Sequence, residues 1–197
     1  SSYAQERWGW LSVYPQTKYG PVGENGQVEE MTVSPAQNAT ISGILTAMNG
    51  ENVRGRSFSV ANGYTGNAED LLLGPNFQEQ WDLVHEVGPE FVFVTGWNEW
   101  VALRQADFQG VENGFADEFS PEYSRDLEPS RGVLKDYYYF QLCQNIRRYK
   151  GVSKPDENVN YNKAIDINAG AEQWSDITEY NHYSHSTYKR RSQGYGD

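Results

Sequence analysis

The chain has a single cysteine, Cys143, so it cannot form an intrachain disulfide, and no Cys/His spacing marks a zinc site. Cys143 falls inside a helical pattern and reads as a small buried hydrophobe. Long apolar runs are also missing, and nothing approaches the roughly 20 residues that would cross a bilayer. There is no stretch with the layout of a secretory signal peptide. Positive charge is in deficit, with 16 Lys and Arg against 27 Asp and Glu and a net charge of −11. A field of that sign repels phosphate backbones and anionic lipids, which argues against a nucleic-acid partner and leaves neutral glycans indifferent. The one basic run, Lys189-Arg190-Arg191, reads as a solvated turn. No repeat of solenoid length is visible. Asn38-Ala39-Thr40 fits the N-glycosylation sequon, a triplet common by chance.

What the chain does have is aromatic rings, at 14% of its 197 residues, and a hydrophobic share of 38%, enough for a packed core. Rings either fill a core or stack on the apolar C–H face of a sugar. Trp8 to Tyr14 is rich in strand formers and stops at Pro15, so it reads as a strand. Residues 18–27 read as a loop, Val28 to Ser34 as a second strand, and 41–66 as a long loop. A helix is predicted from about Asn76 to Glu86, with Phe77, Trp81 and Val84 as its stripe, Pro75 at its start and Gly88-Pro89 at its end. His85, on that helix, reads as a surface or interface residue. Phe91 to Val94 is apolar without alternation, the habit of a parallel strand buried on both faces. An acidic loop follows over 104–132. A second helix is predicted from after Gly132 to about Lys150, with Leu134, Tyr138, Leu142, Ile146 and Tyr149 as its apolar stripe and Gly151 as its stop. From Ser153 the composition reads as a linker and then as the opening of a β-rich domain.

Asn98-Glu99 follows the buried strand directly, between Trp97 and Trp100. In β/α barrels the ends of strands carry the catalytic groups. Glycoside hydrolysis needs two carboxyl groups, one of which keeps a proton near neutral pH, and burial between indoles raises a carboxyl pKa in that way. Glu99 is either that carboxyl or an ordinary loop residue. Candidates for the second are Asp117, Glu118, Asp126 and Glu128, with Glu128 first; each is otherwise a solvated carboxylate or a partner for Arg125 or Arg131. Gln37 and Asn38, after the strand ending at Ser34, are expected to hold sugar hydroxyls or to cap the loop. Trp10 and Tyr14 are expected to be stacking platforms or core.

Thr95-Gly96-Trp97-Asn98-Glu99-Trp100 resembles the S/T-x-x-N-E-W signature of glycoside hydrolase family 99 and the related WbsX-type glycan-processing proteins, and Asp126-Leu127-Glu128-Pro129-Ser130 resembles their L-E-P-S element. The resemblance covers about residues 91–150. It implies a (β/α)₈ fold, with Glu99 in the active site and Glu128 at the L-E-P position. The family's acid/base stands three residues after the N-E-W Glu, and here that position is Ala102.

The fold class expected is therefore α/β. Residues 1–152 would form the C-terminal portion of a (β/α)₈ TIM-type barrel, and 153–197 a linker and the start of a β-rich accessory domain. The strands and helices before residue 152 fall short of eight β/α units, so the chain reads as part of a longer one, whose remainder is an expected partner. The expected function is hydrolysis of a polysaccharide or glycan, with Glu99 and Glu128 catalytic. Trp97, Asn98, Trp100, Gln37, Asn38, Trp10 and Tyr14 would bind substrate. No cofactor, metal, nucleic acid or membrane insertion is expected, and a glycan substrate implies a secreted or cell-surface protein. The alternative is a non-catalytic glycan-binding or structural surface protein on a degenerate barrel, which Ala102 favours. A glycosyltransferase-like role would need a nucleotide-sugar motif, and none is visible.

Overall fold

A computed structural model describes residues 8–20, 27–99 and 102–151. The expected linker and β-rich segment from Ser153 onward lie outside the described residues, as does Trp100. The chain separates into two compact units, residues 1–128 and 129–197. The first holds β1 (Glu30–Val33), β2 (Gln37–Thr40), β3 (Val53–Arg54), β4 (Phe58–Ser59), β5 (Gly63–Tyr64), α1 (Asp70–Leu73), α2 (Pro75–Val87), β6 (Phe91–Val94), β7 (Arg104–Phe108) and β8 (Val111–Phe115). The second holds α3 (Tyr137–Tyr149). The chain is thus a mixture of helices and small sheets. Its described strands pair two by two, β1 with β6 in parallel and β2–β3, β4–β5 and β7–β8 antiparallel. They do not close a barrel.

The unit that positions the site is β1–α2–β6. Glu30 pairs with Phe91 and Val33 with Val94 in the parallel ladder. Paired residues share a face, and successive residues alternate faces. Glu30, Thr32, Phe91 and Phe93 therefore share one side, which the segment Trp8–Trp10 covers: Thr32 Oγ1 donates to the Gly9 carbonyl, and the Trp8 ring lies 5.5 Å from that of Phe91. Met31 and Val33, both fully buried, lie on the other side. Helix α2 packs on β1 and buries Phe77, Trp81 and Val84. Its Gln80 side chain bonds the N–H and C=O of Ser34 at 3.1 and 2.8 Å, so the helix is locked to the end of β1. Gly74 and Gly88, at φ 58° and 63°, bracket α2 in the left-handed conformation, which a glycine adopts without a Cβ penalty. Pro75 opens it, as the sequence predicts.

Five expectations are corrected. Trp8–Tyr14 is not a strand. Its carbonyls are taken by side chains instead: Gly9 by Thr32, Trp10 by Arg125, Ser12 by Gln37 and Tyr14 by Arg54. Strand β6 is not buried on both faces, because Phe91 and Phe93 are 47% and 44% exposed and β1 is its one neighbour among the described strands. The loop expected over 41–66 contains β3, β4 and β5, and the acidic loop expected over 104–132 opens with the hairpin β7–β8. Gln109 and Gly110, at φ 54° and 81°, make its two-residue turn, the twist that a tight hairpin needs. Finally, α3 begins at Tyr137 and not after Gly132, since Lys135 at φ 47° breaks the helical path and leaves Leu134 outside it. No helix among the described residues is long and apolar enough to cross a membrane.

Glu30 is fully buried. Burial pushes its pKa from 4.5 up to about 7; hydrogen bonds from Thr32 and the Phe93 N–H oppose the shift, and the Glu29 charge adds to it. The folded state therefore holds a proton that the unfolded chain has already released. Stability from this group is complete below pH 4.5 and is lost as pH rises through about 7. At about 1.4 kcal/mol per pH unit the loss reaches roughly 3 kcal/mol. Glu30→Gln keeps the neutral shape, so it should narrow the difference between urea midpoints at pH 5 and pH 8. An unchanged difference would show that Glu30 is not the group responsible.

Candidate functional site

Beyond Val94 the chain stays in register for one more residue, with the Thr95 N–H donating to the Val33 carbonyl at 3.0 Å. It then turns at Gly96, φ 81°, where a Cβ would stand 2.2 Å from the Arg125 carbonyl oxygen. That close approach lets two segments lock together. Leu127 N–H donates to the carbonyls of Gly96 and Trp97 at 2.8 and 3.0 Å, and Glu128 N–H to that of Trp97 at 2.8 Å. Glu99 N–H donates to Asp126 Oδ1 at 3.0 Å. A third segment joins through Arg125 N–H on the Asp117 carbonyl at 3.0 Å and a bridge between Glu118 and Ser124. Asn38, from β2, anchors this third segment by donating its amide to the Ala116 carbonyl.

The three segments bring Asp117, Glu118 and Asp126 to bear on Glu99, and Arg125 lies buried among Asp117, Asp126 and Glu99. Arg125 is 1% exposed. It donates to Asp117 Oδ1 at 2.7 Å, to the Trp10 carbonyl at 3.2 Å and to Thr95 Oγ1, and its guanidinium lies 4.9 Å from the centre of the Trp10 ring. Burial lowers its pKa, while Asp117, Asp126 and Glu99 raise it. A second buried arginine, Arg56, donates to Ser124 Oγ at 3.2 Å and to the Asp126 carbonyl at 2.6 Å.

Glu99 is half-buried, and its pKa is pushed up to about 7. Burial is the largest cause, followed by the charge of Asp117, a hydrogen bond between the Glu99 and Asp117 carboxyls, and the charges of Asp126 and Glu118. Asp126 is pushed up to about 6, again mainly by burial; the Glu99 N–H and Arg56 pull it down and Glu118 and Asp117 push it up. A carboxyl that titrates near neutrality can give a proton and take it back, which is the property a general acid requires.

Of the sequence candidates, Glu99 stands at the centre of the carboxyl group. Glu128 is held beside it in the chain path, its Oε2 accepting from the Asn98 amide. Trp97 and Trp10 are 49% and 48% exposed, and the Trp10 ring is fixed by Arg125. Gln37 and Asn38 do not stand in a rim loop. Both are buried in β2, where Gln37 bonds the Ser12 carbonyl at 3.2 Å and accepts from Arg54 at 3.3 Å. They build the frame. Tyr14 is set apart from the group, since the charges acting on its hydroxyl are Glu79, Glu86 and Asp82 of α2. Trp100 lies outside the described residues. From sequence, Thr95 stands only as the first residue of the N-E-W element, Arg56 lies without a role in the loop expected over 41–66, and Arg125 is a partner for a loop carboxylate. Nothing in Ser124-Arg125-Asp126 signals that its arginine is buried. Among the described residues no group of three His, Cys, Asp or Glu side chains is placed to hold a metal ion.

No protein-family model matches the chain, and no curated protein or solved structure matches it.

Proposed function

We propose that this chain carries the sugar site of a glycoside hydrolase acting on a polysaccharide or glycan, on the C-terminal portion of a (β/α)₈ barrel like that of family 99 and the WbsX-type proteins. The observation that carries the reading is Glu99: a half-buried carboxyl with a pKa near 7, just past the end of a parallel strand and among other carboxyls. Barrel enzymes place their chemistry at that end of the strands. Among the described strands β6 pairs with β1 alone, which suits a sheet that continues into further strands.

In this reading Glu99 donates its proton to the glycosidic oxygen as the C–O bond breaks. Glu128, with its carboxylate oriented by Asn98, is the second carboxylate and acts on the anomeric carbon or on a water beside it. The exposed rings of Trp97 and Trp10 stack on the apolar faces of the sugar, and Trp100 takes the same role from its sequence position. The net charge of −11 favours neutral over anionic glycans. A glycan substrate places the protein outside the cell or on its surface.

Incubating the full chain with neutral polysaccharides and measuring new reducing ends tests the proposal. Release of reducing ends that disappears in Glu99→Gln supports it. A second reading, a glycan-binding protein without turnover, is favoured by Ala102 at the family's acid/base position. Saturable binding of a polysaccharide with no reducing ends released would select that reading.

A further inference from the structure

We infer that Asn62, in the turn of the β4–β5 hairpin, is a site of spontaneous covalent modification, where the Gly63 backbone nitrogen closes on the Asn62 side chain and the asparagine becomes aspartate or isoaspartate. The inference is independent of the proposed sugar site.

Asparagine before glycine is the pair best suited to this reaction, because glycine has no Cβ to hinder its own nitrogen. The glycine nitrogen loses its proton and attacks the side-chain amide carbon. The bond from that carbon to the amide nitrogen breaks, and ammonia leaves. Water then opens the five-membered succinimide at either carbonyl. A fold permits this where the side-chain amide can turn, the glycine nitrogen can be released, and the ring has space.

Asn-Gly occurs four times in the chain, at 25–26, 49–50, 62–63 and 113–114, and the structure describes the last three. At Asn49 both reacting groups are held. The Asn49 side chain donates to the Asn113 carbonyl at 3.1 Å and accepts from the Phe115 N–H at 2.9 Å. The Gly50 N–H donates to the Ala47 carbonyl at 3.0 Å, and a Cβ on Gly50 would stand 2.3 Å from Thr46 Oγ1. Asn113 is exposed, but its carbonyl holds the Asn49 amide and its partner Gly114 is buried. A Cβ on Gly114 would stand 2.8 Å from Phe108 Cβ and 3.2 Å from Ala47 Cβ. Both residues lie inside β8, so ring closure there has to break the strand.

Among the described pairs, Asn62-Gly63 alone escapes these restraints. Asn62 is exposed, and the bond it makes is through its backbone N–H, to Ser59 Oγ at 3.2 Å. Nothing lies within 4 Å of a Cβ placed on Gly63. Gly63 pairs with Ser59 in the last rung of a hairpin whose strands have two residues each. Such a rung opens at little cost. The base of the hairpin stays anchored through Tyr64, whose hydroxyl donates to the Val53 carbonyl and accepts from the Gly55 N–H. The tip can therefore move while the fold persists. Each event adds a negative charge at the tip, and isoaspartate also lengthens the main chain by a carbon beside the Ser59–Gly63 rung.

The test is site-resolved mass spectrometry of the full chain aged at pH 8, in buffer and in urea. In buffer, Asn62 is expected to convert at least about tenfold faster than Asn49 and Asn113, the factor that about 1.4 kcal/mol of extra opening cost gives. In urea, where the fold no longer separates them, the three should convert at similar rates. Fragment spectra should show both aspartate and isoaspartate in place of Asn62, the mark of the succinimide route. Equal rates in buffer, or a faster rate at Asn49 or Asn113, would overturn the inference. So would an Asn62 that converts in urea but not in buffer, or one that yields aspartate alone.

Discussion

Glu99→Gln should lower hydrolysis by about 10²- to 10⁴-fold, the usual contribution of a positioned general acid, with no loss of folding. The amide keeps the size of the carboxyl and can still donate to Asp117, so the bonded frame around it survives. What disappears is a proton that can leave. The raised pKa also fixes the pH dependence of the unaltered chain. Glu99 must be protonated to act, so kcat/KM should fall as pH rises past about 7. The variant should lie flat and low across the same range. Stability gives an independent check. A carboxyl whose folded-state pKa is raised destabilises the fold once it ionises, so Glu99→Gln should be at least as stable as the unaltered chain at pH 8. Far-UV circular dichroism and a urea titration read this directly. Turnover unchanged in Glu99→Gln would remove Glu99 from the mechanism and with it the hydrolase proposal.

The second large effect is expected at Gly96. An alanine there meets two obstacles. Its φ of 81° lies where L side chains are strained, and its Cβ would stand 2.2 Å from the Arg125 carbonyl oxygen and 2.9 Å from the Arg125 carbonyl carbon. Backbone strain costs about 1–3 kcal/mol. Forcing the neighbouring backbone aside costs about another 1–3 kcal/mol. Gly96→Ala should therefore destabilise the chain by about 2–6 kcal/mol in urea unfolding. Gly110 separates the two terms. It has the same φ of 81°, but nothing lies within 4 Å of its Cβ position. Gly110→Ala should show only the strain. If the two alanines cost the same, the crossing of Gly96 over Arg125 is not tight. If the crossing is as described, Gly96→Ala also spreads Glu99 from Asp126 and lowers any activity by more than its stability loss explains.

Much of the helical part was legible in the sequence. The stripe Phe77, Trp81 and Val84 with Pro75 before it and Gly88 after it placed α2 to within a residue or two. That helix is specified locally, by a 3.6-residue period and by residues suited to its two ends. The strand expected over Val28–Ser34 contains β1, and the apolar run Phe91–Val94 is β6. The hairpin β7–β8 was missed because Arg104-Gln105-Ala106-Asp107 has no apolar alternation and Gln109-Gly110 is not one of the strongest turn pairs. Trp8–Tyr14 misled in the opposite direction. It has the composition of a strand, but its carbonyls are claimed by Thr32, Arg125, Gln37 and Arg54.

At the site the division is equally physical. A carboxyl just beyond a strand end, between two indoles, could be singled out from a short stretch of chain. Its chemical setting could not. Arg125 reaches Asp117, 8 residues away, and Trp10, 115 residues away, in one buried cluster. Gln37 and Asn38 look like ligands for a sugar in sequence, yet in space they hold Ser12 and Ala116. The sequence by itself determined the elements with a local period and their ends, the absence of disulfides, and the residue Glu99 as a point of interest. Only the tertiary structure decided which carboxyls meet, which arginine is buried among them, and why Gly96 must be glycine. Those properties come from contacts between segments far apart along the chain, and burial and charge act through distance in space.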